Sequence, residues 1–578
     1  MKEKKQNVKN ETSQAESLDN SSRRGFIGHL TKGAIAAAAV GAVGAKPFLD
    51  GKSSEVLAQK DEPLVPSTMA RAVAARDYRV NAALFNFTNN FIGPRPDNGD
   101  EALYAGQSYF GSYSKGLPHH NNGEVDPPAY LALLTAINSG NPADFNLIPN
   151  IQNFLPLQPI QQKLTNPQGG YAFDLEGGDA FTFRQPPAPT FASREEAAEI
   201  AENYWMALLR DVPFNSYAGN PIAIDAAADL NLFGADFKGP KTGGLVTTGN
   251  LFRGLTPGDL NGPWLSQFFL LPCNFGANNV NQQTRTVVPG VDYMTTFNNW
   301  LAVQNDIPQG PNIFDPVLRY MRNGRDTGQW VHIDVLFQGY FQALLVLFGI
   351  GAPPDAGNPY NGNRNQIGFA TFGGPHIATL LCEVSTRALH AVWNQKWTVH
   401  RRLRPEVFAE RCDRASQSII NYPVHPDILT DLNSATRLGR YFTTANKLLP
   451  MAFPEGSPTH PAYGAGHATV AGACTTSLKA WFDESFVIPS PVVTDATGQI
   501  LTPYVGPPLT VGGELNKIAS NVANSRNIAG VHWRSDSTES LLLGERVAIS
   551  ILRDQRASYN EVFNGFSLTK FDGTTMIV

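Results

Sequence analysis

Gly464-Ala465-Gly466-His467-Ala468-Thr469-Val470-Ala471-Gly472-Ala473-Cys474-Thr475-Thr476-Ser477-Leu478-Lys479-Ala480-Trp481-Phe482 opens with two glycines around an alanine. A histidine follows, then an apolar run without proline. The run reads as a buried helix over Gly466–Phe482. Glycines let backbone N–H groups approach a ligand closely, and a helix N-terminus favours an anion. Gly466 N–H is the expected oxyanion donor, and His467 the residue facing the anion's apex. Further helical patterns cover Trp330–Phe348, Gly374–Trp397, Leu432–Leu449, Gly513–Ala529 and Asp536–Tyr559, separated by loops rich in Pro, Gly and Asn. Ser193-Arg194-Glu195-Glu196 reads as a capping box opening another helix. Residues 66–190 read as short helices and loops. Alternating strand patterns are scarce, Leu245-Val246-Thr247-Thr248 being one short candidate. The expected fold is mainly α, a helical bundle with few short strands.

Two other stretches join the glycine-bracketed histidine. One is Lys396 with Arg404-Pro405, Lys396 near a helix end and Arg404 in the exit loop. The other is Ser525-Arg526, then His532 and Asp536. Three cations, a helix start and two histidines suit a tetrahedral oxyanion: cations and N–H groups hold its oxygens, and the histidines flank the central atom. The run His400-Arg401-Arg402-Leu403-Arg404 stands out because only 16% of the chain is charged, against the usual quarter or so.

This order and spacing resemble the signature shared by vanadium-dependent haloperoxidases and related acid phosphatases. Five residues separate Arg526 from His532, and three separate His532 from Asp536, as that pattern requires. The Lys396–Arg404 gap resembles the algal and bacterial bromoperoxidases. Ala465 stands where the family pattern has serine. The resemblance implies one domain containing two four-helix bundles, with the anion-site motifs at 393–536. It implies one vanadate cofactor per subunit, with His532 as the metal ligand. Lys396, Arg404, Gly466, His467 and Arg526 would bind the anion, and Lys396 would also polarise the oxidant. His467 is the implied acid/base. His460 would tune halide oxidation. Asp536 would fix the His532 tautomer, Trp393 would line the halide side, and Asp334 would pair with Arg526. The implied activity is oxidation of bromide or iodide by hydrogen peroxide to hypohalous acid, which halogenates organic acceptors. Two alternatives stay open: an acid phosphatase using His532 as nucleophile, and an exported oxyanion-binding protein without catalysis.

The 578 residues are 42% hydrophobic with 34 Phe, which suits a large buried core. Net charge is −5, which provides no global basic field for nucleic acid. Four cysteines without C-x-x-C spacing argue against zinc or a redox pair. Near the N-terminus, Arg23-Arg24 precede an Ala/Gly-rich run from Gly33 to Ala45, the pattern of a twin-arginine export signal. That run is too short to span a membrane. Residues 1–58 are therefore expected to be signal and linker, and 59–578 a single catalytic domain. The expected product is a periplasmic or secreted homo-oligomer without stable membrane association.

Overall fold

The computed structural model describes residues 68–149, 163–307, 309–433, 438–442 and 446–578. The expected signal and linker, 1–58, lies outside them. The chain divides into two compact units, Met1–Asp77 and Tyr78–Val578. Of the first, only the opening residues of helix α1 (Thr68–Asn89) are described. That 22-residue helix is longer than the short helices expected between 66 and 190.

The second unit holds two helical bundles. Helices α2 (Pro127–Ser139), α3 (Arg194–Leu209), α4 (Pro221–Leu230), α5 (Phe297–Gln304), α6 (Gly324–Ile333) and α7 (Gln338–Gly349) come first. They are followed by α8 (Gly374–Asn394), α9 (Pro405–Ser416), α10 (Pro426–Asn433), α11 (Gly466–Trp481), α12 (Val511–Ile528) and α13 (Arg534–Arg556). One bundle packs α8, α12 and α13 around α11, and the other is α3, α4, α9 and α10.

Helix α11 is the axis of the first bundle, and every one of its residues except His467 is buried. A helix buried all round has no water for its polar side chains. Its hydroxyls solve this locally: Thr469, Thr475, Thr476 and Ser477 donate to the carbonyls of Ala465, Ala471, Gly472 and Ala473 at 2.7–3.0 Å. Two glycines set the distance to α13. A Cβ on Gly472 would lie 2.1 Å from Leu541 O, and one on Gly544 2.0 Å from Thr469 O. Any larger residue at either position forces the helices apart.

Several expectations meet a different outcome. The pattern Trp330–Phe348 is not one helix but α6 and α7, bent by 103°. Asp334 adopts extended backbone (φ −66°, ψ 154°) at the break, which frees its carboxylate to turn into the core. Leu432–Leu449 is not a continuous helix either. Helix α10 ends at Asn433, and only one further turn, Leu438–Tyr441, is described. Its aromatics pack singly, Tyr441 edge-on to Trp205 and Phe442 edge-on to Tyr204, so the apolar spacing there reflects loop packing on α3. Leu245–Thr248 forms no strand: Leu245 closes a turn that begins at Thr242, through reciprocal Thr242–Leu245 hydrogen bonds, and Val246 and Thr247 are irregular. The described strands form four antiparallel two-stranded pairs, among them the hairpins Cys273–Phe275 with Asn278–Val280 and Ser567–Thr569 with Thr575–Ile577. The capping box is half formed. Ser193 accepts from Glu196 N–H at 3.1 Å, but the Glu196 carboxylate turns to Arg402 instead of its own cap. Among the described residues, no single helix is long and apolar enough to cross a membrane.

Candidate active site

Lys396 sits in a π-helical turn, Gln395–His400, that extends α8. The turn ends at Arg401, which has the left-handed φ of 34° that non-glycine residues seldom adopt. The arginine-rich run then sorts by partner. Arg401 forms a bidentate pair with Glu101, both bonds 2.6 Å. Arg402 binds Glu196, Glu199 and Asp536. Arg404 turns the other way, toward His460 and His532. His400 is buried edge-on against Tyr463 and pushed down to about 3 by desolvation, so it is neutral.

Lys396 Nζ donates to the carbonyls of Pro461 (2.7 Å) and Ala462 (3.1 Å), leaving one of its three N–H bonds uncommitted. Arg404 donates to the carbonyls of His460 (2.7 and 3.0 Å) and Val531 (2.6 Å). It also contacts His532 Nε2 at 3.1 Å and His460 Nδ1 at 2.9 Å. Arg526, in the last turn of α12, donates to Val331 O at 2.7 Å and lies 5.4 Å from the Phe453 ring centre. Its buried Nε–H has no partner among the described residues.

These contacts fix two tautomers. Arginine can only donate, so His532 Nε2 must be an acceptor, and its Nδ1–H donates to Asp536 Oδ2 at 2.8 Å. A neutral imidazole therefore turns its Nε2 lone pair to the cations. The reversal that carries the chain from α12 to His532 depends on Gly530, at φ 88°, where a Cβ would lie 2.8 Å from Met451 Sδ. By the same logic, His460 Nδ1 accepts from Arg404.

The third contributor is the start of α11. Its N-cap residue is Ala465, which has no side chain to cap the first turn. The first N–H groups of any α-helix lack intrahelical partners. The preceding Ala465 N–H is already committed to Ser540 Oγ at 2.8 Å. Gly466 and His467 thus offer N–H groups at a buried, uncapped helix start. Trp393 closes this side: a Cβ on Gly466 would sit 3.3 Å from its ring, which lies 4.9 Å from the His460 ring centre. Lys396 Nζ is 5.8 Å from the Trp393 ring centre.

Asp334 differs from expectation. Its Oδ1 lies 2.9 Å from His467 Nε2, and it forms no ion pair with Arg526. The break between α6 and α7 aims the carboxylate at the helix start of α11. Asp334 still favours the Arg526 charge, but from beyond contact distance.

The electrostatics of the site favour an anion. Among the described residues, Lys396, Arg404 and Arg526 have no carboxylate in ion-pair contact, and none is more than 5% exposed. Burial and then the neighbouring Arg404 hold Lys396 well below its usual range. Burial brings Arg404 and Arg526 down to about 10. His460 and His532 are pushed well below 6.5 by burial and by the same cations. Buried charges need a partner, and here the partner must be an anion. The donor set agrees: among the described residues, no group of three or more His, Cys, Asp or Glu could hold a metal cation.

The structure brings together Lys396, Arg404, His460, Gly466, His467, Arg526, His532, Asp536, Asp334 and Trp393, all named from sequence. Sequence reasoning missed Arg402, Glu196, Glu199 and Ser540. Glu196, Glu199 and Glu202 recur at i, i+3 and i+6 on a helix in a chain poor in charge, which was the available signal.

The chain matches the family described as the VCPO second helical-bundle domain over residues 378–561. It is 38% identical to a vanadium-dependent bromoperoxidase of Corallina pilulifera, over 88% of this chain and 98% of that protein. It is 34% identical to a vanadium-dependent bromoperoxidase of Ascophyllum nodosum, over 83% of this chain and 89% of that protein. Its fold matches the homohexameric structure of the second vanadate-dependent bromoperoxidase (AnII) of Ascophyllum nodosum with a TM-score of 0.81 and 31% identity. That match covers 90% of this chain and 95% of the other.

Proposed function

This chain belongs to the vanadium-dependent bromoperoxidases, and on that premise we propose how its own residues carry the family's reaction: halide, hydrogen peroxide and a proton give hypohalous acid and water. It is a vanadate-dependent haloperoxidase. One observation carries the residue assignment: three buried cations without a carboxylate in contact converge with the Nε2 lone pair of His532. A vanadate oxyanion fits that set, because its negative charge complements the three cations and its metal accepts a nitrogen ligand.

His532 Nε2 would bind the metal, with Asp536 holding Nδ1–H and so keeping Nε2 free. Lys396, Arg404, Arg526 and Gly466 N–H would hold the oxygens. The bound vanadate supplies Lewis-acid activation of hydrogen peroxide toward halide. Asp334 accepts from His467 Nε2–H, so Nδ1 keeps the lone pair that would take a proton from hydrogen peroxide and later return it. His460 and Trp393 wall the cation side, their ring centres 4.9 Å apart.

Bromide and iodide are the proposed halides. Ala465 adds no hydroxyl to assist polarisation of the peroxide, and chloride, the hardest of the three halides to oxidise, needs the strongest polarisation. We also propose a homo-oligomer, supported by the homohexameric relative. Export by the twin-arginine pathway to the periplasm or beyond is supported by Arg23-Arg24 and the Ala-rich run that follows. Replacing both arginines with lysine should retain the protein in the cytoplasm.

The deciding experiment assays purified apoprotein with peroxide and each halide, with and without vanadate, beside a phosphate-ester assay. Halogenation of a phenolic dye should appear only with vanadate, and phosphate should compete. Halogenation without vanadate would refute the assignment, and ester hydrolysis alone would favour the phosphatase.

A further inference from the structure

We propose that Arg402 is a positioning residue that orients the His532 imidazole by clamping Asp536, an inference that rests on the vanadate reading above. Arg402 lies outside the oxyanion motif, in the link between α8 and α9. Its side chain is 1% exposed, yet its guanidinium reaches both bundles. Nη1 donates to Asp536 Oδ1 and to Ser535 Oγ, both at 2.8 Å, at the start of α13. Nη2 donates to Glu199 at 2.8 Å and to Glu196, both on α3. The face of the guanidinium lies over Trp533, 4.6 Å from the ring centre.

This clamp has a consequence at the anion. With Oδ1 held by Arg402, the other oxygen of Asp536 is aimed at His532 Nδ1 (2.8 Å) and at Trp533 N–H (3.2 Å). A carboxylate fixed at both oxygens cannot rotate about its terminal bond, so the imidazole it holds cannot swing. Glu199 reinforces the same turn by accepting from Ser535 N–H at 2.7 Å. The backbone of Arg402 serves the other two segments. Its carbonyl accepts from Ala462 N–H at 3.0 Å, and Ala462 O in turn receives Lys396 Nζ. One residue therefore ties all three anion-binding segments together. A planar fork can address α3 and α13 at once, whereas the single ammonium of lysine cannot hold both with the same geometry.

The test is vanadate binding by equilibrium dialysis on the full-length protein, for wild type, Arg402→Met, Arg402→Lys, Asp536→Asn and the Arg402→Lys/Asp536→Asn double variant. Partners that orient a metal-binding histidine are worth about 10–100-fold in metal affinity. Arg402→Met and Asp536→Asn should each weaken vanadate by that order, and Arg402→Lys by less than Arg402→Met. The double variant should be no weaker than Asp536→Asn within about twofold, because both changes remove one device. ¹⁵N spectra of the histidine rings should show the His532 Nε2 signal broadened in Arg402→Lys, which a purely structural role would leave alone. Should Arg402→Met not fold, the lysine variant keeps the buried charge and carries the same test. Affinity within twofold of wild type in Arg402→Lys, or losses that multiply in the double variant, would overturn the proposal. If the wild type itself bound no vanadate, the functional reading would fall first, a result distinct from either.

Discussion

Asp334 Oδ1 and His467 Nε2 lie 2.9 Å apart, although 133 residues separate them in the chain. The contact exists because α6 and α7 break at Asp334 and because α11 starts uncapped at Ala465. It sets the imidazole's tautomer and leaves Nδ1 as the available base. Asp334→Asn should therefore lower kcat for bromide by about 100-fold, the lower end of what general acid–base catalysis contributes. Vanadate binding measured by dialysis should stay near wild type. A parallel loss of both would mean that Asp334 supports the anion itself.

The two site histidines should separate cleanly. His532→Ala should abolish stable vanadate binding, because Nε2 offers the only proposed bond to the metal. His467→Ala should keep vanadate and lose most halide oxidation. Dialysis beside a bromide assay reads both, and exchanged phenotypes would reverse the roles.

Halide scope turns on Ala465. Iodide and bromide should be oxidised, and chloride little or not at all. Ala465→Ser should raise bromide turnover with little change in vanadate occupancy. Serine at this N-cap also gives α11 the side-chain cap it lacks, so the melting temperature should rise, reflecting about 1 kcal/mol. Efficient chloride oxidation by the wild type would show that the pocket polarises peroxide by another route.

Anion affinity should fall as pH rises. Burial and Arg404 hold Lys396 well below its usual range, and only its charged form attracts an oxyanion. Affinity is thus complete below that lowered pKa and is lost as pH climbs through it. Lys396→Met should weaken vanadate and flatten this slope in binding curves taken at a series of pH values. A slope unchanged in the variant would assign it to another group.

Asp306 should make folding stability pH-dependent. Burial raises its carboxyl from 3.8 to about 7, with Lys115 opposing. Between those values the folded protein keeps a proton that the unfolded chain has released, so stability falls as pH rises from about 4 to about 7. Asp306→Asn should remove that part of the slope. Thermal unfolding of both proteins at pH 5 and pH 8 measures it, with the larger drop expected in the wild type.

Where the chain's own order carried meaning, it was readable. Arg526, His532 and Asp536 fall within one turn-and-helix segment, so spacing alone placed them together. Helix α11 was legible because nothing in its run interrupts a buried helix. The Trp330–Phe348 pattern misled because apolar periodicity continues across Asp334, where the backbone nonetheless turns extended between α6 and α7. Leu432–Leu449 misled because Tyr441 and Phe442 bury themselves one at a time against α3, and a spacing rule cannot tell a helix face from a loop lying on one.

The arginine run shows the division most clearly. The sequence by itself determined that cations cluster at 401–404, that a glycine-flanked helix start awaits an anion, and that the fold is helical. These follow from local backbone geometry and composition. Only the tertiary structure decided that Arg401 and Arg402 are neutralised by Glu101, Glu196, Glu199 and Asp536 while Arg404 is left for the anion. Charge pairing depends on which helices pack side by side, and the carboxylates that claim two of the three arginines are up to 300 residues distant along the chain.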